Sequence, residues 1–184
     1  MPLGSAEALA LAGMMGSGKS TVARWLGRWL GRPVVSTDAR VEALAHKSVA
    51  RIFAEDGEPA FRALERRVVG GLRGPLVVDL GGGAFCDPDS AARLLSVARV
   101  VFLDVSEAEA ARRLGSARPE EAETAARPLF ARWAELREKR LPLYRRASLR
   151  VETDGRSAEA VARLIHDLVT RPPRRPGADP RGAP

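Results

Sequence analysis

The chain has almost no cysteine, few aromatic residues and no long apolar run. Its single cysteine, Cys86, excludes an internal disulfide and is typical of a protein from a reducing compartment. No stretch approaches the ~20 consecutive apolar residues of a membrane span. The N-terminus also lacks the basic region of a secretory signal peptide. We therefore expect a cytoplasmic protein that does not bind a membrane.

Aromatic residues make up 5% of the chain, too few to indicate a surface that stacks nucleobases. The net charge is +7, but residues 171–184 carry four arginines and one aspartate, which leaves +4 for the first 170 residues. This tail also contains five of the 13 prolines and no aromatic residue. We predict that 171–184 is a disordered Pro/Arg-rich tail, and we expect no nucleic-acid partner.

The remaining residues, 1–170, are enough for a single domain with a substantial core. Short apolar runs alternate with amphipathic segments, a pattern typical of an α/β protein with a parallel sheet. The predicted strands are 8–13, 33–37, 75–80, 98–105 and 148–153. The predicted helices are 19–31, 48–72 with a break near Asp56–Gly57, 87–98, 106–114 and 157–171. The polar, alanine-rich segment at about 115–128 is predicted to be a mobile lid.

The segment "GMMGSGKS", Gly13 to Ser20, matches the phosphate-binding pattern G-x-x-x-x-G-K-[ST] at every position. It also lies between a predicted strand and a predicted helix, so backbone N–H groups and the helix N-terminus can bind phosphate oxygens. Lys19 would reach the terminal phosphates, and the Ser20 hydroxyl would bind Mg²⁺. The residues expected to contact ATP here are Met15, Gly16, Ser17, Gly18, Lys19, Ser20 and Thr21.

A second segment, "VVDLGGGAF" at 77–85, places Asp79 and three glycines at the end of a predicted strand. Three consecutive glycines weaken regular structure, which indicates that another group approaches the backbone closely. The carboxyl ends of strands are also where α/β folds bind ligands. A turn that needs positive φ is the alternative explanation.

Read with the phosphate loop, several further motifs make the chain resemble shikimate kinase over about residues 8–169. These motifs are "STD" (36–38), "IFAEDGEPAFRALE" (52–65), "LGGGA" (80–84), "ARPL" (126–129), "REKRLPLYRRA" (137–147) and "VETDGRS" (151–157). The resemblance implies a three-layer P-loop kinase fold with strand order 2-3-1-4-5 and a lid. It implies transfer of the ATP γ-phosphoryl group to the 3-hydroxyl of shikimate, one Mg²⁺ per subunit, and a place in aromatic amino acid biosynthesis. We expect a monomer.

The same resemblance implies roles for individual side chains. Asp38 would bind the acceptor hydroxyl and act as a catalytic residue together with Lys19 and a lid arginine. Arg127 fits the lid position best, with Arg118 as its rival. The resemblance also implies that Arg62, Gly82 and Arg140 bind the substrate. From the residues themselves, Glu65 could hold the Arg62 guanidinium one turn away, and the backbone of Gly81 and Gly83 could contact the substrate hydroxyls. Further nucleotide contacts would be Arg112 or its neighbour Arg113, and Arg156.

One position departs from the family pattern. The family usually reads Asp-Thr-Asp where this chain reads Ser36-Thr37-Asp38, and its first aspartate helps to bind Mg²⁺ through water. We hypothesise that Asp79 supplies the displaced carboxylate, whereas a strand-end aspartate that caps the Gly81 backbone is the simpler reading. The alternatives to shikimate kinase are a related kinase for another hydroxy acid, such as gluconate, and a catalytically weakened ATP-binding regulatory module.

Overall fold

Five parallel strands form one sheet in the order β2-β3-β1-β4-β5 in a computed structural model of the chain. The structure describes residues 2–115 and 130–171. The strands are β1 (Ala8–Ala12), β2 (Val34–Ser36), β3 (Val77–Asp79), β4 (Ala98–Asp104) and β5 (Leu149–Glu152). Each lies within its predicted range, and β3 lies between β2 and β1, so the predicted order is confirmed.

Helices cover both faces of this sheet. They are α1 (Lys19–Leu30), α2 (Thr37–Ala45), α3 (Val49–Glu55), α4 (Gly57–Gly70), α5 (Pro88–Val97), α6 (Glu107–Gly115), α7 (Trp133–Tyr144) and α8 (Ala158–Thr170). The break between α3 and α4 falls at Asp56, as the sequence predicts. A short 3-10 turn, Ala84–Cys86, follows the three glycines.

The two sides of the sheet bury separate apolar clusters, because successive side chains along a strand point to opposite faces. On β1, Leu9 and Leu11 pack with α1 and α8, whereas Ala8, Ala10 and Ala12 pack on the face that α4, α5 and α7 cover. A third, smaller cluster lies between α2, α3 and α4. The result is the three-layer arrangement that brings the strand ends, and the loops that follow them, to one edge.

Two helices depart from the expectations. Helix α2 begins at Thr37, and the Ser36 hydroxyl accepts a hydrogen bond from Ala39 N at 3.3 Å. Ser36 is therefore the N-cap of α2, and Asp38 lies in the first turn of that helix. Helix α7 was not predicted, because it contains Pro142 and lacks an apolar stripe.

Some predictions fall outside the described part of the chain. The lid at about 115–128 lies almost entirely there, together with Arg118 and Arg127, and so does the tail beyond Arg171. Within residues 2–115 and 130–171, no helix is long and apolar enough to cross a bilayer.

Candidate active site

The phosphate loop joins β1 to α1 and has the backbone geometry of an anion site. Gly16 and Gly18 have φ values of 79° and 86°, a left-handed conformation that favours glycine. A Cβ at Gly16 would also lie 2.8 Å from the Cβ of Ala110 on α6, so any side chain would displace that helix. The N-terminus of α1 follows directly at Lys19, which directs helix N–H groups and the positive end of the helix dipole at the loop.

Lys19 bridges the loop and points towards two carboxylates. Its ammonium donates hydrogen bonds to the carbonyl oxygens of Gly13, at 2.9 Å, and Met14, at 3.1 Å. Burial lowers the pKa of Lys19, the charges of Asp79 and Asp38 oppose that shift, and Arg140 adds to it. The charges of all three side chains therefore act on the Lys19 ammonium, although they come from three different segments of the chain.

Asp79 ends β3 between two strands that frame the site. It pairs in register with Leu11 on β1 and with Ser36 on β2. Register partners on parallel strands point to the same face, and Leu11 faces α1, so Asp79 also points to the face that carries the phosphate-loop helix. The simpler reading, in which Asp79 caps the Gly81 backbone, finds no support, since Gly81 N donates instead to the Thr37 hydroxyl at 2.8 Å.

The three glycines leave space for three charged side chains, one at each position. A Cβ at Gly81 would overlap the Asp38 carboxylate, one at Gly82 would lie 3.2 Å from Arg140 Nη1, and one at Gly83 would overlap the Arg62 guanidinium. None of the three glycines has a positive φ. The alternative of a turn that needs positive φ was therefore wrong, and close packing explains the motif.

Arg62 is fixed on α4 by two carboxylates. Its Nη1 donates to Glu65 Oε2 at 2.6 Å, and its Nη2 donates to Glu58 Oε1 at 3.0 Å. Glu65 is 1% exposed, and its other oxygen has no hydrogen-bond partner among the described residues. Burial raises the pKa of Glu65, and the nearby charge of Asp38 adds to the shift, while Arg62 opposes it. Glu65 thus holds the guanidinium but is itself buried behind it.

Arg140 reaches the glycines from the opposite side, on α7. One turn later Tyr144 is buried, and its hydroxyl donates a hydrogen bond of 2.5 Å to the carbonyl oxygen of Gly82. Cys86 lies beside this pair, and burial raises the pKa of its thiol, which Arg140 and Tyr144 lower only in part. A thiol with a raised pKa is a poor nucleophile near neutral pH.

On the nucleotide side, the structure brings Arg113 rather than Arg112 to the phosphate loop. Arg113 Nη1 donates to the Gly16 carbonyl oxygen at 3.1 Å, and its Nη2 donates to the Thr153 carbonyl oxygen at 2.6 Å. Arg112 has a side chain that is 65% exposed and pairs with Glu109. Arg156 is exposed in the loop after β5, where its carbonyl oxygen accepts from Arg113 at 3.4 Å.

The donor set at this edge suits a hard cation that also binds phosphate oxygens. Hydroxyl and carboxylate oxygens are available from Ser20, Asp38 and Asp79, which is the oxygen chemistry that Mg²⁺ prefers. Among residues 2–115 and 130–171, no three His, Cys, Asp or Glu side chains form a cluster that could bind a metal alone. The residues therefore fit Mg²⁺ that arrives with the nucleotide and keeps several of its waters.

Most of the predicted site residues thus meet at one edge of the sheet, although they span Met15 to Arg140 in the chain. Two side chains that bind the glycine loop were not singled out from the sequence. Thr37 receives the Gly81 N–H, and Tyr144 binds the Gly82 carbonyl oxygen, so two buried hydroxyls hold the glycine loop from both sides. Their partners are 44 and 62 residues away, and the only sequence signal for them was their position in the motifs "STD" and "RLPLY".

Comparisons with known proteins show which family the chain resembles. The family model described as shikimate kinase matches residues 15–170. A shikimate kinase of Rhodococcus jostii is 40% identical over 172 residues, which covers 88% of this chain and 95% of that protein. One from Thermobifida fusca is 44% identical over 163 residues, which covers 84% of this chain and 90% of the relative.

Solved structures give the same result. The shikimate kinase of Acinetobacter baumannii in complex with shikimate superposes with a TM-score of 0.80 at 29% identity, over 89% of this chain and 92% of the other. The shikimate kinase of Bacteroides thetaiotaomicron superposes with a TM-score of 0.76 at 29% identity, over 89% and 98% of the two chains.

Proposed function

The chain belongs to the shikimate kinase family, and we propose that it transfers the γ-phosphoryl group of ATP to the 3-hydroxyl of shikimate through the residues described above. The family makes it an ATP-dependent phosphotransferase. Each glycine of Gly81–Gly83 packs against one charged side chain: Asp38, Arg140 and Arg62 in turn. This arrangement is the main support for the roles proposed below.

Arg62 and Arg140 bind the shikimate carboxylate in this proposal. A guanidinium offers two parallel N–H donors that match the two oxygens of a carboxylate. Arg62 is 21% exposed and is already oriented by Glu65 and Glu58, so little side-chain entropy is lost when the substrate binds. The substrate ring would lie beside the glycine loop, between these two arginines and Asp38.

Asp38 orients the acceptor hydroxyl and accepts its proton. It lies beside Gly81 at the start of α2, and its charge acts on Lys19, so the acceptor would be held close to the phosphate loop. A carboxylate in this place is suited to align the nucleophile in line with the γ-phosphorus. Lys19 would contact the β- and γ-phosphates and stabilise the charge that spreads over the transferred group.

The nucleotide phosphates would lie on the backbone of residues 15–21. Arg113 donates a hydrogen bond to the Gly16 carbonyl oxygen, so in this proposal it supports the phosphate loop and does not contact the phosphates. Arg112 and Arg156 are exposed at the side of the site where the nucleoside would extend, and we keep them as proposed nucleotide contacts. Arg127 remains the proposed lid residue.

Mg²⁺ would bind through the Ser20 hydroxyl and, through water, the Asp79 carboxylate. When bound, it neutralises the charge that develops between the β- and γ-phosphates. The residues of this chain contribute the rest: Lys19 fixes the loop, Asp38 aligns the hydroxyl, and the two arginines hold the substrate ring in place.

A binding experiment tests the pair Arg62 and Arg140, which we call the carboxylate clamp. Arg62→Ala and Arg140→Ala should each weaken shikimate binding by on the order of 2–4 kcal/mol and leave ADP binding within about twofold. Arg67→Ala, an exposed arginine on the same helix as Arg62, is the matched control and should change neither. If both clamp variants bind shikimate normally in a calorimetric titration, the assignment is wrong.

We further propose that residues up to about 170 form one domain that acts as a monomer in the cytoplasm. A gluconate kinase is disfavoured because its acceptor is an open, flexible chain. Two opposed guanidiniums beside the glycine loop fit a rigid ring acid better.

A further inference from the structure

Helix α7 carries four side chains at positions 133, 137, 140 and 144, a spacing of four, three and four residues that places them on one face. Together they contact the phosphate loop, the end of β4 and the glycine loop. Trp133 Nε1 donates to the Met15 carbonyl oxygen at 3.3 Å, and Arg137 Nη2 donates to Asp104 Oδ1 at 3.1 Å. Arg140 and Tyr144 both reach Gly82.

This face joins the two halves of the active site. Trp133 touches the phosphate loop, and Tyr144, roughly 16 Å further along the helix, touches the glycine loop. Tyr144 Oη also lies 3.9 Å from the Met14 sulfur, and the carbonyl oxygen of Met14 accepts from Lys19. A single helix therefore contacts both the phosphate side and the acceptor side of the reaction.

The Tyr144 hydroxyl is the polar centre of this contact. It donates to the Gly82 carbonyl oxygen, and it also interacts with the guanidinium of Arg140 and the thiol of Cys86. Burial raises the pKa of Tyr144 well above its usual range, with Cys86 adding to the shift and Arg140 opposing it. The hydroxyl therefore remains a donor at every pH at which the enzyme would work.

The ring of Tyr144 has a separate role. It stacks on Phe102 of β4, with ring centroids 4.9 Å apart and an interplanar angle of 20°. This stack belongs to the core and would be retained if the hydroxyl were removed. The two contributions of Tyr144, packing by the ring and orientation by the hydroxyl, can therefore be separated by substitution.

We propose that Tyr144 is a positioning residue for the acceptor side of the reaction, because its hydroxyl fixes the Gly82 carbonyl and the Arg140 guanidinium relative to each other. Arg140 touches the substrate, whereas Tyr144 acts through Arg140 and Gly82. The inference rests on the proposed clamp. The Tyr144 hydroxyl would determine how accurately Arg140 faces Asp38 and the phosphate loop.

Tyr144→Phe tests this directly. The variant keeps the stack on Phe102 and loses only the hydroxyl, so we expect the shikimate KM to rise roughly tenfold. The KM for ATP and the Kd for ADP should stay within about twofold. Phe102→Leu is the matched control: it weakens the stack and lowers Tm, but it leaves the hydroxyl and should leave the shikimate KM unchanged.

A second measurement uses the wild-type sequence, so it does not require that a variant folds. Tyr144 is the only tyrosine in the chain, so growth on 3-fluorotyrosine gives a protein with one ¹⁹F resonance. Saturation with shikimate should shift that resonance, because Arg140 then shares its donors between Tyr144 and the substrate carboxylate.

Activity of the wild-type enzyme separates a failure of the positioning role from a failure of the proposed function. If the wild-type enzyme does not phosphorylate shikimate, the proposed function is wrong. If it does, a Tyr144→Phe enzyme with a normal shikimate KM, or with equal losses for both substrates, overturns the positioning role. A ¹⁹F resonance that is unchanged at saturating shikimate also overturns it.

Discussion

Ser36 on β2 and Asp79 on β3 are register partners, so the hydroxyl and the carboxylate lie side by side on the face of the sheet that carries the phosphate-loop helix. The family pattern places an aspartate at position 36. Here Ser36 caps α2, and an acid occupies the adjacent strand, one position closer to β1. The pairing supports the hypothesis that the carboxylate near Mg²⁺ has moved from one strand to its neighbour.

This relocation predicts an asymmetric response to mutation. Asp79→Asn should lower kcat and raise the Mg²⁺ concentration for half-maximal activity roughly tenfold, because the hydrated ion loses a charged partner. Ser36→Ala should cost about 1 kcal/mol of stability as a lost cap and leave the Mg²⁺ requirement unchanged.

The reciprocal exchange is the sharper test. Ser36→Asp combined with Asp79→Ser should recover activity that Asp79→Ser alone has lost. Binding of Mn²⁺ with ADP, followed by electron paramagnetic resonance, gives a readout independent of turnover. A normal Mg²⁺ and Mn²⁺ dependence in Asp79→Asn would show that the carboxylate does not act near the metal.

Gly83 is predicted to be needed for space and not for backbone freedom. Its φ is −103°, which alanine adopts readily, but a Cβ would lie 2.6 Å from Arg62 Nη2 and 2.7 Å from Cζ. Gly83→Ala should therefore displace the guanidinium and raise the shikimate KM, by up to about 100-fold if the shift approaches 1 Å.

Gly70→Ala is the control for that substitution. Gly70 lies in α4, and a Cβ there would meet nothing within 4 Å. The change should stabilise the protein by about 0.5–1 kcal/mol and leave both KM values unchanged. If Gly83→Ala behaves like Gly70→Ala in melting and in kinetics, the close-packing explanation of the triplet is wrong.

Much of this arrangement could be predicted from the sequence, and the limits have physical causes. The inner strands β1, β3 and β4 could be predicted because each is a short apolar run that is largely buried on both faces, whereas β2 and β5 at the edges are only partly buried. The site residues of local motifs, such as Lys19 and Ser20, could be predicted because spacing fixes their geometry. Helix α7 could not, since Pro142 and a scattered apolar pattern conceal it.

Contacts between residues that are far apart in the chain could not be predicted from the sequence either. That Arg113 and not Arg112 contacts the phosphate loop depends on which side of α6 faces the Gly16 carbonyl oxygen, 97 residues away. The three glycines are needed because Asp38, Arg140 and Arg62 pack against them, and all three come from other segments of the chain.

Glu65 gives a prediction for pH dependence. Burial raises its pKa in the folded state above the ordinary value near 4.5. The stability that it contributes is therefore fully present below that value and is lost as the pH rises through the raised folded pKa. Glu65→Gln removes the titrating carboxyl. The Tm of the variant should therefore rise relative to that of the wild type as the pH increases through the folded-state pKa of Glu65.

The same substitution should weaken function, since an amide holds Arg62 less strongly than a carboxylate does. We expect the shikimate KM of Glu65→Gln to rise several-fold while the KM for ATP does not. Glu58→Gln is the control, because Glu58 also pairs with Arg62 but is 63% exposed. Parallel pH–stability curves for wild type and Glu65→Gln would refute the buried-carboxylate explanation.

The basic tail is predicted to be dispensable. Truncation after Arg171 removes 13 residues with five prolines and no aromatic group, a composition that cannot bury much apolar surface. The truncated protein should keep its Tm within about 1 °C and its kcat unchanged. A Tm several degrees lower would mean that the tail packs against the domain.

We propose that the residues at this edge of the sheet transfer a phosphoryl group from ATP to a ring hydroxy acid. The most direct measurement is ADP release, coupled to NADH oxidation, with shikimate, gluconate and other hydroxy acids as acceptors and with ³¹P NMR of the product. We predict turnover with shikimate, one phosphomonoester per ADP, and a kcat/KM for gluconate at least about 100-fold lower. Faster phosphorylation of gluconate, or tight ATP binding without turnover of any acceptor, would contradict the account.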